Sequence, residues 1–268
     1  MKRFDPAALP GFAWIAVGAL VLLWAPIVTM VVYSFNASQS VALWGGFSFQ
    51  WYAAAAGNAA VQGAALRSVV IALCAAVIAS AVATMAALGT TRRGHFRGRQ
   101  AIYVVINQPL MVPEIVTAVA LLIVFAAVKV ATGYTGLGYL VLAHSAFCVP
   151  FAYLPIRARL EGMDRSLETA AADLYATPWR AFRHVTLPIL APGIAAGAML
   201  AFVISLDDVI ITEFVKSAGQ DTLPTYMLGQ LRRAVTPEVN AISTALLALT
   251  AALLTAFFVL TRRSDTKP

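Results

Sequence analysis

Residues 157–188 read RARLEGMDRSLETAAADLYATPWRAFRHVTLP. The segment is polar and basic, yet it lies between two apolar runs, 136–156 and 189–212. A helix that crosses a bilayer needs about 20 mostly apolar residues. Both runs qualify, as do 12–35, 66–90, 101–128 and 241–261. In hydrocarbon every backbone N–H and C=O needs an internal partner, so these spans are helices. They are continuously apolar rather than alternating, which excludes a membrane β-barrel. The expected fold is an all-α integral membrane protein of six transmembrane helices. It forms one transmembrane domain over 1–268, with 157–188 as a loop between the fourth and fifth spans.

Composition agrees. Of 268 residues, 60% are hydrophobic and 12% charged, whereas soluble domains carry about 45–50% and about 25%. A soluble globular protein is excluded. The net charge of +7 would raise nucleic acid as a partner of a soluble chain. Here the positions of Lys and Arg explain it. With the N-terminus inside, the inner segments hold Lys2, Arg3, Arg92, Arg93, Arg97, Arg99, Arg157, Arg159, Arg165, Arg180, Arg183, Arg262, Arg263 and Lys267. The outer side holds Arg67, Lys129, Lys216, Arg232 and Arg233. The positive-inside rule then puts both termini in the cytoplasm. No nucleic acid is needed, and the Arg92–Arg97 cluster faces membrane lipid headgroups. The first run exceeds the about 7–15 residues of a signal-peptide core and reads as an uncleaved span. Cys74 and Cys148 lie in apolar runs and read as small buried hydrophobes. Ala75-Ala76, Ala86-Ala87 and Ala195-Ala196 suit close helix packing.

The 157–188 loop reads as two short helices. Asp164 or Ser166 caps the first, and Glu168 sits in its favourable first turn. Leu167, Ala170, Ala171 and Leu174 share one apolar face at i, i+3, i+4, i+7. Thr177 caps the second helix with Pro178 as its first residue, and Trp179 and Phe182 make its apolar side. Leu187-Pro188 is expected to end this helix before the fifth span begins. Such a hairpin, apolar and basic, calls for a partner.

Three acids fall inside apolar spans: Glu114, Asp207 and Asp208. A carboxylate at the centre of a membrane helix costs about 2.5–3.5 kcal/mol on insertion scales, so it faces a bundle interior or a cavity. At 1.5 Å per residue, Glu114 stands roughly 20 Å and Asp207 roughly 28 Å above the inner ends of their spans. Pro109 and Pro113 break or kink the third span and free carbonyls to line a cavity. Asp207 and Asp208 point about 100° apart, so one of them faces the path. On the outer side, Trp44, Trp51 and Tyr52 read as interfacial aromatics, and Glu213, Asp221 and Glu238 as loop acids near the mouth of the route. His144-Ser145 is the one pair that suggests an intramembrane enzyme. There is no His-Glu-x-x-His, Cys-x-x-Cys or phosphate-binding Walker loop. Asn36-Ala37-Ser38 matches a glycosylation sequon formally.

The spacing of Thr169-Ala170-Ala171, three residues, Tyr175, nine residues, then Val185-Thr186-Leu187-Pro188 resembles the Glu-Ala-Ala loop of ABC-importer permeases. Thr169 stands where that pattern has Glu, with Glu168 one position early, and Tyr175 stands where it has Gly. Tyr33-Ser34-Phe35-Asn36, Pro109-Leu110-Met111-Val112-Pro113-Glu114, Ser205-Leu206-Asp207-Asp208 and Thr236-Pro237-Glu238-Val239-Asn240-Ala241 resemble the spermidine/putrescine permease branch. The resemblance covers about residues 20–260. It implies the type I importer fold and a bacterial inner-membrane subunit that is not itself an enzyme. It also implies a related permease partner, two cytoplasmic ATPase subunits that use ATP and Mg, and a periplasmic binding protein. No cofactor is implied in this chain. The coupling residues would be Glu168, Thr169, Ala170, Ala171, Asp173, Tyr175, Thr177, Pro178, Leu187 and Pro188. The cargo implied is a polyamine, with ferric ion, thiamine or another small solute as the alternative within the class. A Tyr at 175 is not expected to adopt the positive φ that Gly allows.

The topology generates a direct expectation. A cysteine placed at position 95 labels with an impermeant thiol reagent from the cytoplasmic side alone; labelling from outside would invert the orientation.

Overall fold

A computed structural model of the chain describes residues 12–41, 43–92, 96–233 and 236–265. Lys2, Arg3, Arg93, His95 and Lys267, used in the charge argument, lie outside the described residues. The chain divides into two compact units, residues up to Gln62 with Met227–Ala251, and Gly63–Tyr226 with the segment from Ala252.

The first unit contains α1 (Phe12–Tyr33), α2 (Gln50–Gly57) and the start of α12 (Pro237–Asp265). The apolar window of α1 is wholly exposed, as a lipid-facing helix requires. The loop after it is built on Asn36, which is 0% exposed. Its Oδ1 accepts from the backbone N–H of Ser38 at 3.1 Å and of Gly45 at 2.7 Å. Its Nδ2 donates to the Leu43 carbonyl at 2.8 Å. With the amide consumed this way, the formal sequon is not available to a glycan. Trp51 and Tyr52 belong to the same construction: Trp51 Nε1 donates to the Asn36 carbonyl at 2.8 Å, and the Tyr52 hydroxyl meets Ser34 Oγ at 2.7 Å. These bonds fix both rings within the loop.

The second unit holds α3 (Ala59–Thr91, nearly all of it here), α4 (Arg99–Met111), α5 (Glu114–Thr132) and α6 (Gly138–Glu161). The short α7 (Ser166–Asp173) and α8 (Pro178–Ala181) follow, then a π turn (Phe182–Thr186), α9 (Leu187–Asp207) and α10 (Ile210–Val215). The amphipathic α11 (Leu223–Arg233) begins in this unit. Among the described residues, six helices are long and apolar enough to cross a membrane.

The core is α6, buried on several sides through Leu140, Ala143, Cys148, Ala152, Tyr153, Ile156 and Leu160. It packs most extensively on α9. Two glycines four residues apart make that approach possible. A Cβ on Gly197 would lie 2.7 Å from the Ala152 carbonyl oxygen, and one on Gly193 would lie 2.8 Å from Arg159 Cβ. Close backbone approach is the membrane substitute for hydrophobic driving force between helices. The buried face of α3 follows the same rule with Ala64, Ala72, Ala75, Ala79, Ala83 and Ala87. Thr90 Oγ1 ties α3 to α6 through the Tyr153 hydroxyl at 2.9 Å.

Three features differ from the sequence expectation, and the broken third span follows it at one of its two prolines. The second span starts at Ala59 rather than 66. The third span is two helices, interrupted at Val112-Pro113 while Pro109 stays inside α4. The fifth span stops at Asp207 and restarts at Ile210. Its inner end does not stop at Leu187-Pro188: α8, the π turn and α9 form one continuous rod from Pro178 to Asp207. Pro188 lacks the N–H that would bond the carbonyl four residues back. The wider turn just before it accommodates that loss without ending the helix.

The end of α7 holds the sharpest departure. Ala176 N–H bonds the Ala171 carbonyl at 3.0 Å and Tyr175 N–H the Ala172 carbonyl at 2.9 Å. This pair is a Schellman cap, which needs a left-handed residue at position 175. Tyr175 supplies it with φ 58°, against expectation. The closed cap outweighs the cost of about 1–2 kcal/mol for a side chain in that region.

Two substitutions test these packing arguments. Gly197→Ala is expected to lower the stability of purified protein by about 1–3 kcal/mol through overpacking. Gly89→Ala, where nothing lies within 4 Å, serves as a control and leaves it unchanged or raised. Tyr175→Gly is expected to raise stability by up to about 1 kcal/mol, read as an upward thermal shift; a downward shift would show that the ring itself holds the turn.

Candidate functional site

The continuous rod that ends in α9 carries a hairpin at one end and a cavity at the other. The hairpin is fastened to the end of α3 by two contacts. Arg165 Nη2 donates to the Thr91 carbonyl at 2.9 Å, and Arg92 Nε lies 3.2 Å from Glu168 Oε2. The other oxygen of Glu168 accepts from Thr186 Oγ1, in the π turn, at 2.8 Å. Glu168 therefore links three elements: α3, α7 and the rod. Thr169 points elsewhere, its hydroxyl donating to the Arg165 carbonyl at 3.3 Å. Thr177 caps α8, accepting from Arg180 N–H at 3.4 Å, with Pro178 in the first turn. Asp164 does not cap α7 from within. It sits before the helix and accepts from Ser166 N–H at 2.9 Å and Ser166 Oγ at 2.6 Å. Those bonds hold its carboxyl below the usual carboxylate range, the hydroxyl bond first and the backbone bond second.

The outer side of the hairpin is apolar and open. Leu174 is 82% and Tyr175 96% exposed, and Leu167 and Trp179 are also exposed. Ala170 is exposed, Ala171 half-buried, and Asp173 closes α7 exposed to solvent. Leu187 is half-buried and Pro188 exposed, on the rod.

At the other end, Glu114, Asp207 and Asp208 share a cavity of about 480 Å³ with Phe147, Phe151 and Ile210. The two helix interruptions create it. Glu114 is the first residue of α5, and Asp207 is the last of α9. The last turn of α9 leaves carbonyls without helical partners, and its dipole places partial negative charge there. Asp207 is exposed to the cavity, while Asp208 is buried. Asp208 caps α10, its Oδ1 accepting from Ile211 N–H at 3.2 Å and its Oδ2 from Thr212 N–H at 2.9 Å. Phe147 and Phe151 lie 5.5 Å apart, ring to ring. Carboxylates and aromatic faces together suit an organic cation.

The outer acids are engaged locally. Lys216 Nζ reaches Glu213 at 2.6 Å and Asp221 at 2.7 Å. Partial burial lowers the Lys216 ammonium, but its bonds to the two carboxylates outweigh that and hold it above the usual lysine range. Glu238 accepts from Asn58 Nδ2 at 3.2 Å. His144 and Ser145 do not act as a pair: the Ser145 hydroxyl donates to the Val141 carbonyl, and the His144 ring meets Ser205 and Thr212.

Sequence reasoning had named the three acids and the hairpin. It missed Phe147, Phe151 and the His144–Thr212 link. The i, i+4 spacing of the two Phe residues on a span that also carries His144 was a usable signal.

Comparison with known proteins follows the same lines. The chain is 40% identical over 228 residues to the "Putrescine transport system permease protein PotI" of Escherichia coli (strain K12), covering 84% of this chain and 81% of that protein. It is 37% identical over 243 residues to the "Spermidine/putrescine transport system permease protein PotC" of Haemophilus influenzae, covering 91% and 93%. A crystal structure of a bacterial ABC transporter involved in import of the acidic polysaccharide alginate superposes with TM-score 0.70 at 14% identity, covering 97% of this chain and 94% of that one. At that identity the likeness concerns the fold, that of an ABC-importer permease. Residues 79–267 match the family described as binding-protein-dependent transport system inner membrane component, and the chain belongs to that family.

Proposed function

We propose that this chain is the permease subunit of an ATP-driven importer that moves polyamines across the inner membrane by alternating access. Both termini face the cytoplasm, and 1–268 acts as one transmembrane domain. A related permease completes the pathway. Two ATPase subunits, which bind the ATP and Mg, engage the 157–188 hairpin, and a periplasmic binding protein delivers the cargo. The reading is carried by one observation: a single rod runs from the hairpin to the acid-lined cavity. A push on the open apolar face of Leu174, Tyr175 and Trp179 acts on that rod directly.

The cavity favours a polyamine over the alternative cargoes. Ammonium groups pair with Glu114 and Asp207, and the methylene segments lie on Phe147 and Phe151. Ferric ion is a hard cation that takes oxygen and nitrogen ligands, and two phenyl rings offer it nothing. The names of the curated relatives, putrescine and spermidine permeases, support the same cargo class. The geometry of His144 and Ser145 gives no support to an intramembrane enzyme.

The test is uptake of labelled putrescine and spermidine by the reconstituted complex, with and without the binding protein, against unlabelled thiamine and ferric ion as competitors. Asp207→Asn is expected to reduce polyamine uptake about tenfold, the scale of one lost charge-assisted contact. Assembly, read by co-purification with the ATPase, stays intact. Wild-type uptake in that variant would remove Asp207 from the route.

A further inference from the structure

The buried cluster behind the cavity performs none of the tasks assigned so far. His144 stands on α6, inside the core, and the side chains of His144 and Asp208 are each 1% exposed. Its Nδ1 lies 2.7 Å from Ser205 Oγ, on the last turns of α9. Its Nε2 lies 2.9 Å from Thr212 Oγ1, on α10, and 3.4 Å from Asp208 Oδ2. The imidazole thus bridges both sides of the helix interruption, from a third helix.

The direction of the bonds follows from the carboxylate. Thr212 Oγ1 donates to Asp208 Oδ2 at 2.8 Å. Having spent its proton there, the hydroxyl accepts from His144, so the neutral ring carries its hydrogen on Nε2. Nδ1 is then an acceptor, filled by the Ser205 hydroxyl. The chain Ser205, His144, Thr212, Asp208 runs one way, each donor polarising the next. It ends on the carboxylate that caps α10, and Asp208 lines the same cavity as Glu114 at the start of α5. Carboxyls that line one cavity repel unless a proton or a cation sits between them. Asp208 is held in that position by donors that the protein supplies from behind.

We propose that His144 is a positioning residue for transport: it locks the α9–α10 interruption and, through Thr212, aims the Asp208 carboxylate toward Glu114 at the cavity wall. The inference rests on the transport reading above. It assigns His144 no contact with cargo. Its role is to hold the buried Asp208 carboxylate, and with it the end of α9 that carries Asp207, in place while the rod moves.

The amide variants separate this role from simple packing. Gln at 144 places an N–H near the Nε2 position and keeps the bond to Thr212. Asn is shorter, reaches only toward Ser205 and loses Thr212. In proteoliposomes carrying the complete complex, His144→Gln is expected to retain polyamine uptake per assembled complex within about twofold, and His144→Asn to lose about tenfold, the scale of one buried hydrogen bond. ATP hydrolysis and thermal stability of the two variants stay alike. Thr212→Val, which removes the relay at its next member, should match His144→Asn, and Thr212→Ser should match wild type. Equal uptake in the Gln and Asn variants, or losses that only track the unfolded fraction, would overturn the proposal. If neither 144 variant assembles, the Thr212 pair decides: equal uptake in Val and Ser overturns it. A wild-type complex that moves no polyamine would instead refute the transport reading, a separate outcome.

Discussion

The close crossing of α6 and α9 is the contact on which the larger unit depends. Gly197 brings α9 against the Ala152 carbonyl so closely that no side chain fits between them. In a bilayer, apolar residues gain little by leaving lipid for a neighbouring helix, so association relies on such close contact and on polar links. The crossing sets where everything on either helix ends up. Below it, Arg159 Nε reaches the Ile189 carbonyl at 3.1 Å and the hairpin begins. Above it, Cys148 Sγ donates to the Ala201 carbonyl at 3.4 Å and His144 meets Ser205. The hairpin and the cavity are therefore set by one shared interface.

The two interruptions near the cavity obey the same constraint by different means. A helix that stops inside a membrane exposes backbone groups with no water to satisfy them. Between α4 and α5, Pro113 has no N–H to leave unpaired, and its φ suits the start of the next helix. Between α9 and α10, Asp208 provides the acceptors that the first amides of α10 need. That second solution places an acidic side chain in a buried cluster, where Thr212 Oγ1 donates to it and the His144 ring lies 3.4 Å away. A buried carboxylate costs several kcal/mol unless fully hydrogen-bonded. The polar cluster and the interruption are thus parts of one structure, since Ser205, Asp208 and Thr212 lie on both sides of the break and bond across it.

What could be read from the sequence follows the range over which each signal acts. Continuous apolar runs are long and redundant, so all six spans were legible, with ends misplaced by two turns where Ala-rich segments such as 59–65 carry no boundary and by three or more at Pro178 and Glu114, where prolines redraw the helix starts. The Thr177-Pro178 cap was legible because its chemistry is local. The continuation through Leu187-Pro188 was not, because Pro normally marks a stop and the π turn that absorbs it has no residue signature. The Tyr175 conformation was misjudged for a related reason. Local preference opposes a left-handed Tyr, but two cap hydrogen bonds outweigh it. The acids at 114, 207 and 208 stood out against an apolar background. The distinction between Asp207, exposed to the cavity, and Asp208, buried as a cap, needed coordinates, because it depends on a helix break two residues wide. Close packing in the fifth span was expected at Ala195-Ala196, whereas the closest approach is made at Gly193 and Gly197, which only the position of Ala152 and Arg159 reveals.

The position of Glu168 bears on how force would pass from the hairpin. Its carboxylate engages Arg92 at the end of α3 and Thr186 on the rod. The open apolar face, Leu174, Tyr175 and Trp179, begins where the short helix α7 ends. A load applied there is shared between two paths, one into α3 and one into α9. The α9 path is a single helix, about 30 Å from Leu187 to Asp207 at 1.5 Å per residue. Kinks in such a helix concentrate at prolines and π turns, here Pro188, Pro192 and the Phe182–Thr186 turn. Thr186, within that turn, is held by Glu168, so the flexible part of the rod is tied to the hairpin and to α3. The far end has no such tie to the hairpin: past Asp207 the helix hydrogen-bond ladder is absent until Ile210, and the cavity acids Asp207 and Asp208 are found there.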